Sequence, residues 1–246
     1  MDELIESRSL KPGDDHYRAY VGPPAQYDFM GATQFRLLTA LGLREEHHVL
    51  DIGCGSLRSG RMLIAYLLPD RYCGVEPNAW LIEEVIATEL GAQFIELKAP
   101  KFEHNAEFDF SGFGRQFDFI VAQSIFSHSG RDMTVQALKN MRDVMHRSSF
   151  AVVTFVQAGQ GGEKNTAEGW VYPGLVTYDH STIMQMLGEA GLKGQALPWF
   201  HPRQVWYLLS TDGQKLLTQS ELAVLGGAVL RDSRFAGPKG AGKVSG

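Results

Sequence analysis

The sequence predicts an α/β fold built on a parallel, doubly wound sheet, and three observations carry that expectation. Apolar runs of strand length alternate with segments of helical period between residues 47 and 157, the pattern of parallel strands joined by crossover helices. The runs are continuously apolar, as strands covered on both faces are. The first of them passes through an acid into paired glycines, "HHVLDIGCGSLRSG" at 47–60. Such a turn stands where a strand ends beside a ligand, at the carboxyl edge of the sheet.

The elements follow in order. Residues 1–26, polar with Pro and Gly, read as an extended N-terminal arm. From Tyr27 to Leu41, Phe29, Met30, Leu37, Leu38 and Leu41 recur at helical spacing, and Gly42 ends that helix. "HHVLDIG" is the first strand. A helix over 59–68 stops at Pro69. "YCGVEP" (72–77) is the second strand, followed by a helix over 79–90 that Gly91 closes. "AQFIEL" (92–97) is expected to be the third strand, with a loop over 98–116. "FDFIVAQS" (117–124) is the fourth strand, 132–145 a helix and "SFAVVTFVQ" (149–157) the fifth strand. After a Gly-rich polar loop, Asp179 caps a helix over 180–190 that Gly191 ends. Two further strands fall near 194–200 and 204–210, and a last helix spans about 213–230. The domain organisation is thus an arm (1–26), one domain (27–232) and a disordered tail (233–246).

Composition narrows the function classes. The 246 residues hold 23 basic and 28 acidic side chains, a net charge of −5, without the basic surplus of a general nucleic-acid binder. The longest clean apolar run, "FAVVTFV" at 150–156, is too short to span a bilayer. The polar, acidic N-terminus is no secretory signal. Two cysteines, Cys54 and Cys73, make neither a disulfide framework nor a zinc set, and the histidines show no metal-binding spacing. A cytoplasmic protein without a metal, a nucleic-acid partner or a membrane span is the expectation; oligomeric state is not legible.

The chemistry concentrates at the glycine turn. Gly53 and Gly55 supply positive φ and allow close approach of backbone to a ligand. Glu76 ends the second strand about 20 residues further on, the position from which an acid accepts hydrogen bonds from a ribose diol. A dinucleotide site wants a third glycine three residues after Gly55; Arg58 stands there. Asp51 inside the turn disfavours a diphosphate, because like charges repel in a partly dry cleft, and it suits a ligand bearing an ammonium group. The residues point to a ribose plus a positive charge.

"VLDIGCG" followed by "GVEP" resembles motif I and its acidic partner in the class I S-adenosylmethionine-dependent methyltransferases, over roughly residues 45–211. The resemblance implies a three-layer Rossmann-like sheet of seven strands, mostly parallel with an antiparallel last strand. It implies S-adenosyl-L-methionine as cofactor. Asp51, Gly53, Cys54 and Gly55 would lie along its methionine and ribose part, Glu76 on the ribose, and Pro77 and Asn78 beside adenine. Asp109, with Glu107 as rival, would meet the adenine amino group and Phe110 would stack on the ring. Gln123 and Ser124 form the exposed end of strand four. The "SLRSG" continuation and the arm "YRAYVGPPAQYDF" belong to no general motif of the family.

The cofactor carries the activated methyl, so alignment is the protein's main contribution. A hydroxyl acceptor also needs a base. His128, four residues beyond strand four, is the candidate, its ordinary pKa of about 6.5 suiting that work near neutral pH; alternatively it caps the next helix or meets solvent. Arg58 and Arg203 are candidate anchors for an anionic acceptor, or members of ion pairs. Tyr20, with Tyr17 and Tyr27, either closes over the cleft or packs the arm on the domain. Trp170 and His201, with Tyr172, Trp199 and Trp206, offer surfaces for a sugar, glycan or phenolic acceptor, or belong to the core. "GPKGAGKVS" near the C-terminus imitates a phosphate loop, but Val244 replaces the required hydroxyl residue and no strand precedes it. The expected function is methyl transfer to a small molecule, O-methylation favoured. The competing readings are an NAD(P)-dependent oxidoreductase on the same sheet and a non-enzymatic binder of S-adenosylmethionine.

Overall fold

The structure, a computed structural model, describes residues 9–158 and 167–227. Its strands are β1 (Val49–Ile52), β2 (Tyr72–Val75), β3 (Lys101–Glu103), β4 (Phe117–Ala122), β5 (Met145–Phe155), β6 (Lys193–Leu197) and β7 (Val205–Ser210). They form one seven-stranded sheet in the order β3-β2-β1-β4-β5-β7-β6, the expected mixed sheet with an antiparallel final strand. By packing, the chain divides into two compact units, residues 1–121 and 122–246.

In the first unit, β1 pairs in parallel with β2 on one side, Val49 opposite Tyr72 and Ile52 opposite Val75, and with β4 on the other, Asp51 opposite Val121. The strand order therefore reverses at β1, and its carboxyl end is the switch point at which doubly wound sheets bind ligands. All four β1 residues, Asp51 among them, are buried, which explains why the strand is apolar apart from that one acid. The helices are α1 (Tyr17–Tyr20), α2 (Tyr27–Ala40), α3 (Gly60–Tyr66), α4 (Ala79–Val85, continued by a π turn through Ile86–Leu90) and α5 (Ala92–Lys98).

Two expectations for this unit fail. The segment 92–97, expected to be the third strand, lies within α5. Its Ala, Gln, Glu, Leu and Lys residues are strong helix formers, and Phe94, Ile95 and Lys98 form a half-buried face while Leu97 is 68 % exposed. Lys98 Nζ donates to the carbonyls of Ala65 and Leu67 at 2.8 and 2.6 Å, closing the C-terminus of α3. The third strand is instead Lys101–Glu103, three residues beside β2. It is short and charged, as edge strands often are. The described part of the arm, residues 9–26, is not extended either: α1 and a 3-10 turn at Pro24–Gln26 fold it onto this unit. Tyr17 and Arg18 are buried there. Arg18 pairs with Glu89 (2.5 Å) and Asp28 (3.2 Å), and Arg61 pairs with the same two carboxylates.

In the second unit β7 runs antiparallel to β5, Ala151 opposite Leu209, and β6 antiparallel to β7. The helices are α6 (Arg131–Asp143), α7 (His180–Glu189) and α8 (Gln219–Gly227). Phe126 stacks on Phe155 at 5.3 Å, and Tyr178 and Tyr207 meet Phe155 edge-on. Trp206 and Trp199 are buried, so of their two sequence readings the core one holds. Asp179 caps α7 as expected, its Oδ1 accepting from Thr182 N at 2.6 Å. The last helix begins later than the expected 213, and residues 228–230 of that expectation lie outside the described residues. A 3-10 turn at Gly213–Lys215 precedes α8, which begins at a capping box: Thr218 Oγ1 accepts from Glu221 N (3.3 Å) and Glu221 Oε2 from Thr218 N (2.8 Å). The tail and its phosphate-loop imitation lie outside the described residues. Among the described residues no helix is long and apolar enough to cross a membrane.

Candidate functional site

The turn after β1 is built as its sequence requires. Gly53 and Gly55 have φ of +64° and +54°. The Gly53 and Cys54 amides bond the Val75 carbonyl at 2.8 and 3.1 Å, tying the turn to the end of β2. Glu76 follows directly and is 7 % exposed. Its Oε2 accepts from the Gly55 amide at 3.1 Å, and its Oε1 from the Asn78 amide and Nδ2 at 3.0 and 2.8 Å. The His104 imidazole donates to the Glu76 carbonyl at 2.8 Å. The carboxylate is thus fixed in orientation from both sides. Each ionised oxygen has acceptor capacity for more than one donor, so a bound diol can still be served. Glu76, Gly55 and Asn78, the pairing read from sequence, are in direct contact.

Asp51 is 4 % exposed, and its Oδ2 accepts from Tyr72 Oη at 2.8 Å. Burial pushes its pKa up to about 7, although the Tyr72 hydrogen bond and the Arg58 charge oppose the rise. Cys54 points away from solvent: its Sγ would lie 2.8 Å from a Cβ on Gly74. Burial pushes the thiol well above its usual range, which makes Cys54 a packing residue with a useful backbone, not a nucleophile.

Arg58 sits where the third glycine of a dinucleotide site would be. The loop carrying it is held by α2: Tyr27 Oη donates to the Ser56 carbonyl at 2.5 Å, and Ser56 Oγ lies 3.2 Å from the same hydroxyl. The Arg58 Nη1 donates to the Val21 carbonyl at 3.0 Å. A Cβ on Gly55 would lie 2.7 Å from Val21 Cγ1. The arm therefore reaches the glycine turn, a contact no sequence motif announced. Tyr20 lies edge-on to Trp80 at 5.3 Å, which is the packing reading of the arm tyrosines. Pro77 is exposed beside Asn78.

Other adenine-side candidates fare unequally. Asp109 is exposed, and its Oδ1 accepts from Ser111 N at 2.9 Å; that bond holds its carboxyl below the usual range. Glu107 is exposed too and accepts from the Ala106 amide. Phe110 is 2 % exposed, so protein atoms already cover the ring expected to stack on a base. It is a core residue, like Phe108 and Phe113 beside it.

The second unit holds the remaining candidates. Ser124 takes φ +62°; its amide donates to Thr154 Oγ1 (2.7 Å) and its hydroxyl accepts from Gln204 Nε2 (2.9 Å). Gln123 is 8 % exposed, and its Oε1 and that of Gln204 are buried without a hydrogen-bond partner among the described residues. Gln204 is a residue the sequence reading missed, since nothing in a lone Gln on a hairpin marks it. His128 Nδ1 lies 2.8 Å from the Gly174 carbonyl. A carbonyl only accepts, so Nδ1 donates this bond; whenever the ring is neutral, Nε2 is then the nitrogen with the lone pair. The Val171 amide donates to the His128 carbonyl and the Val176 amide to that of Ser127, both at 2.8 Å, tying this segment to the loop that holds Gly174. Tyr172 lies edge-on to His128 at 5.2 Å. Tyr172, Trp170 and Leu175 are 54, 41 and 61 % exposed. His201 Nδ1 accepts from the amides of Arg203 and Gln204 at 3.2 and 3.0 Å, and Arg203 is exposed.

Residues 50–149 match a family model described as a methyltransferase domain. No curated protein matches the sequence. Solved structures share the fold at low identity. DhpI in complex with S-adenosylhomocysteine is 17 % identical, with a TM-score of 0.59 over 85 % of this chain and 95 % of that one. Magnesium protoporphyrin IX methyltransferase of Synechocystis with bound S-adenosylmethionine is 15 % identical, with a TM-score of 0.57 over 86 % and 98 %. An O-methyltransferase from neocarzinostatin biosynthesis, in complex with S-adenosylmethionine and a hydroxylated naphthoic acid, is 15 % identical, with a TM-score of 0.53 over 75 % and 53 %. The family match over residues 50–149 is to a methyltransferase domain, and the strand order is the fold shared with these solved methyltransferase structures.

Proposed function

We propose that the chain methylates an oxygen of a small molecule, with His128 as the base. S-adenosylmethionine, when bound, supplies an electrophilic methyl group. The residues fit it: a fixed carboxylate at Glu76 for the ribose diol, a second carboxylate at Asp51 for the ammonium, and a glycine turn that leaves the backbone bare. Gly53, Cys54 and Gly55 would contribute that backbone, Asn78 and Pro77 the adenine side with Asp109, and Gln123 and Ser124 polar contacts from the end of β4. The observation that carries O-methylation is the His128 Nδ1–Gly174 contact at 2.8 Å. It fixes the tautomer in which Nε2 accepts the proton of a hydroxyl, while an amine acceptor, once neutral, needs no such group. Trp170, Tyr172 and His201 offer ring faces and Arg203 a cation to a sugar, glycan or phenolic acceptor. The naphthoic acid bound to the structural neighbour is consistent with an acceptor of that size.

The test is transfer of labelled methyl from S-adenosylmethionine into a panel of phenols, hydroxy acids and sugars. His128→Ala is expected to lower turnover on the accepted compound by roughly 10²–10⁴-fold, with S-adenosylhomocysteine affinity unchanged. Undiminished turnover in that variant would remove His128 from the reaction.

A further inference from the structure

The His128 ring is held by a backbone loop. Residues 128–130, which lead into α6, pair with residues 169–171 as a short antiparallel ladder. The Gly130 amide donates to the Gly169 carbonyl at 2.7 Å, Ser129 lies opposite Trp170, and the Val171 amide donates to the His128 carbonyl at 2.8 Å. The register then breaks. Its next step would set Ser127 opposite Tyr172, but the Ser127 carbonyl accepts from the Val176 amide at 2.8 Å. Residues 172–175 are thereby thrown out of the ladder, and this excursion wraps the imidazole. Its Gly174 carbonyl accepts from Nδ1 at 2.8 Å, and its Tyr172 ring meets the imidazole edge-on at 5.2 Å.

Two residues at the start of the ladder enforce that register. A Cβ on Gly130 would lie 2.3 Å from the Ala167 carbonyl oxygen and 2.6 Å from the Glu168 Cα. Both are backbone atoms, so any side chain at 130 pushes the chain before Gly169 away. Asp132, in the first turn of α6, accepts from the Gly169 amide through Oδ1 at 3.0 Å and Oδ2 at 3.3 Å. The Met133 and Gly169 amides hold its carboxyl below the usual range. A neutral imidazole without a fixed acceptor exchanges between tautomers, and the form with its proton on Nε2 presents a donor where a base needs a lone pair. Resting on His128 as the base, we propose that Gly130 and Asp132 are positioning residues: neither bonds the ring, and together they seat the 172–175 excursion whose carbonyl selects the tautomer able to take a proton. That carbonyl does here what the carboxylate does in a Ser-His-Asp triad.

Long-range proton–nitrogen NMR correlation of the histidine rings at about pH 8.5, where an ordinary imidazole is neutral, reads the tautomer without acceptor or cofactor. A His128→Gln variant assigns the signal. The wild-type ring is expected to be protonated at Nδ1 alone. Gly130→Ala should convert it to a mixture of both tautomers, while Gly188→Ala in α7, with nothing within 4 Å of its added Cβ, should not. Asp132→Ala should also give a mixture. Asp132→Asn, which keeps an oxygen for the Gly169 amide, should restore the Nδ1 form. If Gly130→Ala does not fold, the two Asp132 variants carry the test. Full Nδ1 protonation in a folded Gly130→Ala or in Asp132→Ala, or equal mixtures in the two Asp132 variants, overturns the proposal and leaves the base reading standing. A wild-type ring protonated at Nε2 removes the contact on which the base reading itself rests.

Discussion

Replacing Gly31 by alanine sets two helix effects against each other. In a helix interior, Gly to Ala is stabilising by roughly 0.5–1 kcal/mol. At Gly31, however, the added methyl would lie 2.3 Å from the Arg58 carbonyl oxygen, 3.0 Å from its carbon and 2.8 Å from Met62 Cε. The methionine can swing aside; the backbone cannot. Either α2 lifts or the loop 56–58 shifts, at about 2–3 kcal/mol for forced overpacking. The steric cost therefore outweighs the helix gain by about 1–2 kcal/mol. At about 2–4 °C per kcal/mol for a chain of this size, Tm falls by roughly 2–8 °C. Gly188 in α7 is the control: nothing lies within 4 Å of its added Cβ, so Gly188→Ala should raise Tm by about 1–4 °C. Thermal unfolding followed by far-ultraviolet circular dichroism gives both numbers. Two shifts of the same sign would refute the packing of α2 against the glycine-turn loop.

Further predictions concern charge. Burial raises the folded-state pKa of Asp51 to about 7 from 3.8. Between those values the folded protein holds a proton that the unfolded chain has released, so Asp51 makes stability fall as pH rises from about 4 to about 7. Asp51→Asn should flatten that part of the profile, measured as urea unfolding across the window. A cationic ligand end favours ionised Asp51, so S-adenosylhomocysteine affinity should rise with pH through neutrality in the wild type and not in Asp51→Asn. Glu89 behaves oppositely: burial would raise its pKa from 4.5, but the Tyr17 hydrogen bond and the Arg61 and Arg18 charges outweigh that and hold it lower. Its contribution is present above pH 4.5 and is lost as pH falls through the depressed folded value. Arg18→Met, which strips one partner from this largely buried network, should cost about 3 kcal/mol in chemical denaturation.

The parts of the fold that the sequence announced are those where apolar pattern and turn chemistry agree. β1, β2 and β4 are almost wholly buried and read as apolar runs interrupted only by Asp51 and Asp118. Gly53 and Gly55 stand at positive φ where their spacing placed them, and Glu76 meets Gly55 across a sequence separation of 21. β3 was illegible because a three-residue charged edge strand carries no apolar run, while the neighbouring "AQFIELK" has apolar residues that fit either period. The break before α8 was legible in principle, as "TQSE" spells the capping box at its start. The arm could not be read, because its fold depends on pairs such as Arg18–Glu89, 71 residues apart. For the same reason Phe110 passed for a stacking ring: burial by residues distant in sequence leaves no local mark.

The account rests on the Glu76 carboxylate holding the ribose of an adenosyl ligand beside the glycine turn. Calorimetric titration of S-adenosylhomocysteine into the wild-type chain and into Glu76→Ala tests this most directly. Binding by the wild type, weakened at least about 10-fold in a variant that circular dichroism shows to be folded, is the predicted result; equal affinity in the two proteins, or no heat with either, would contradict it.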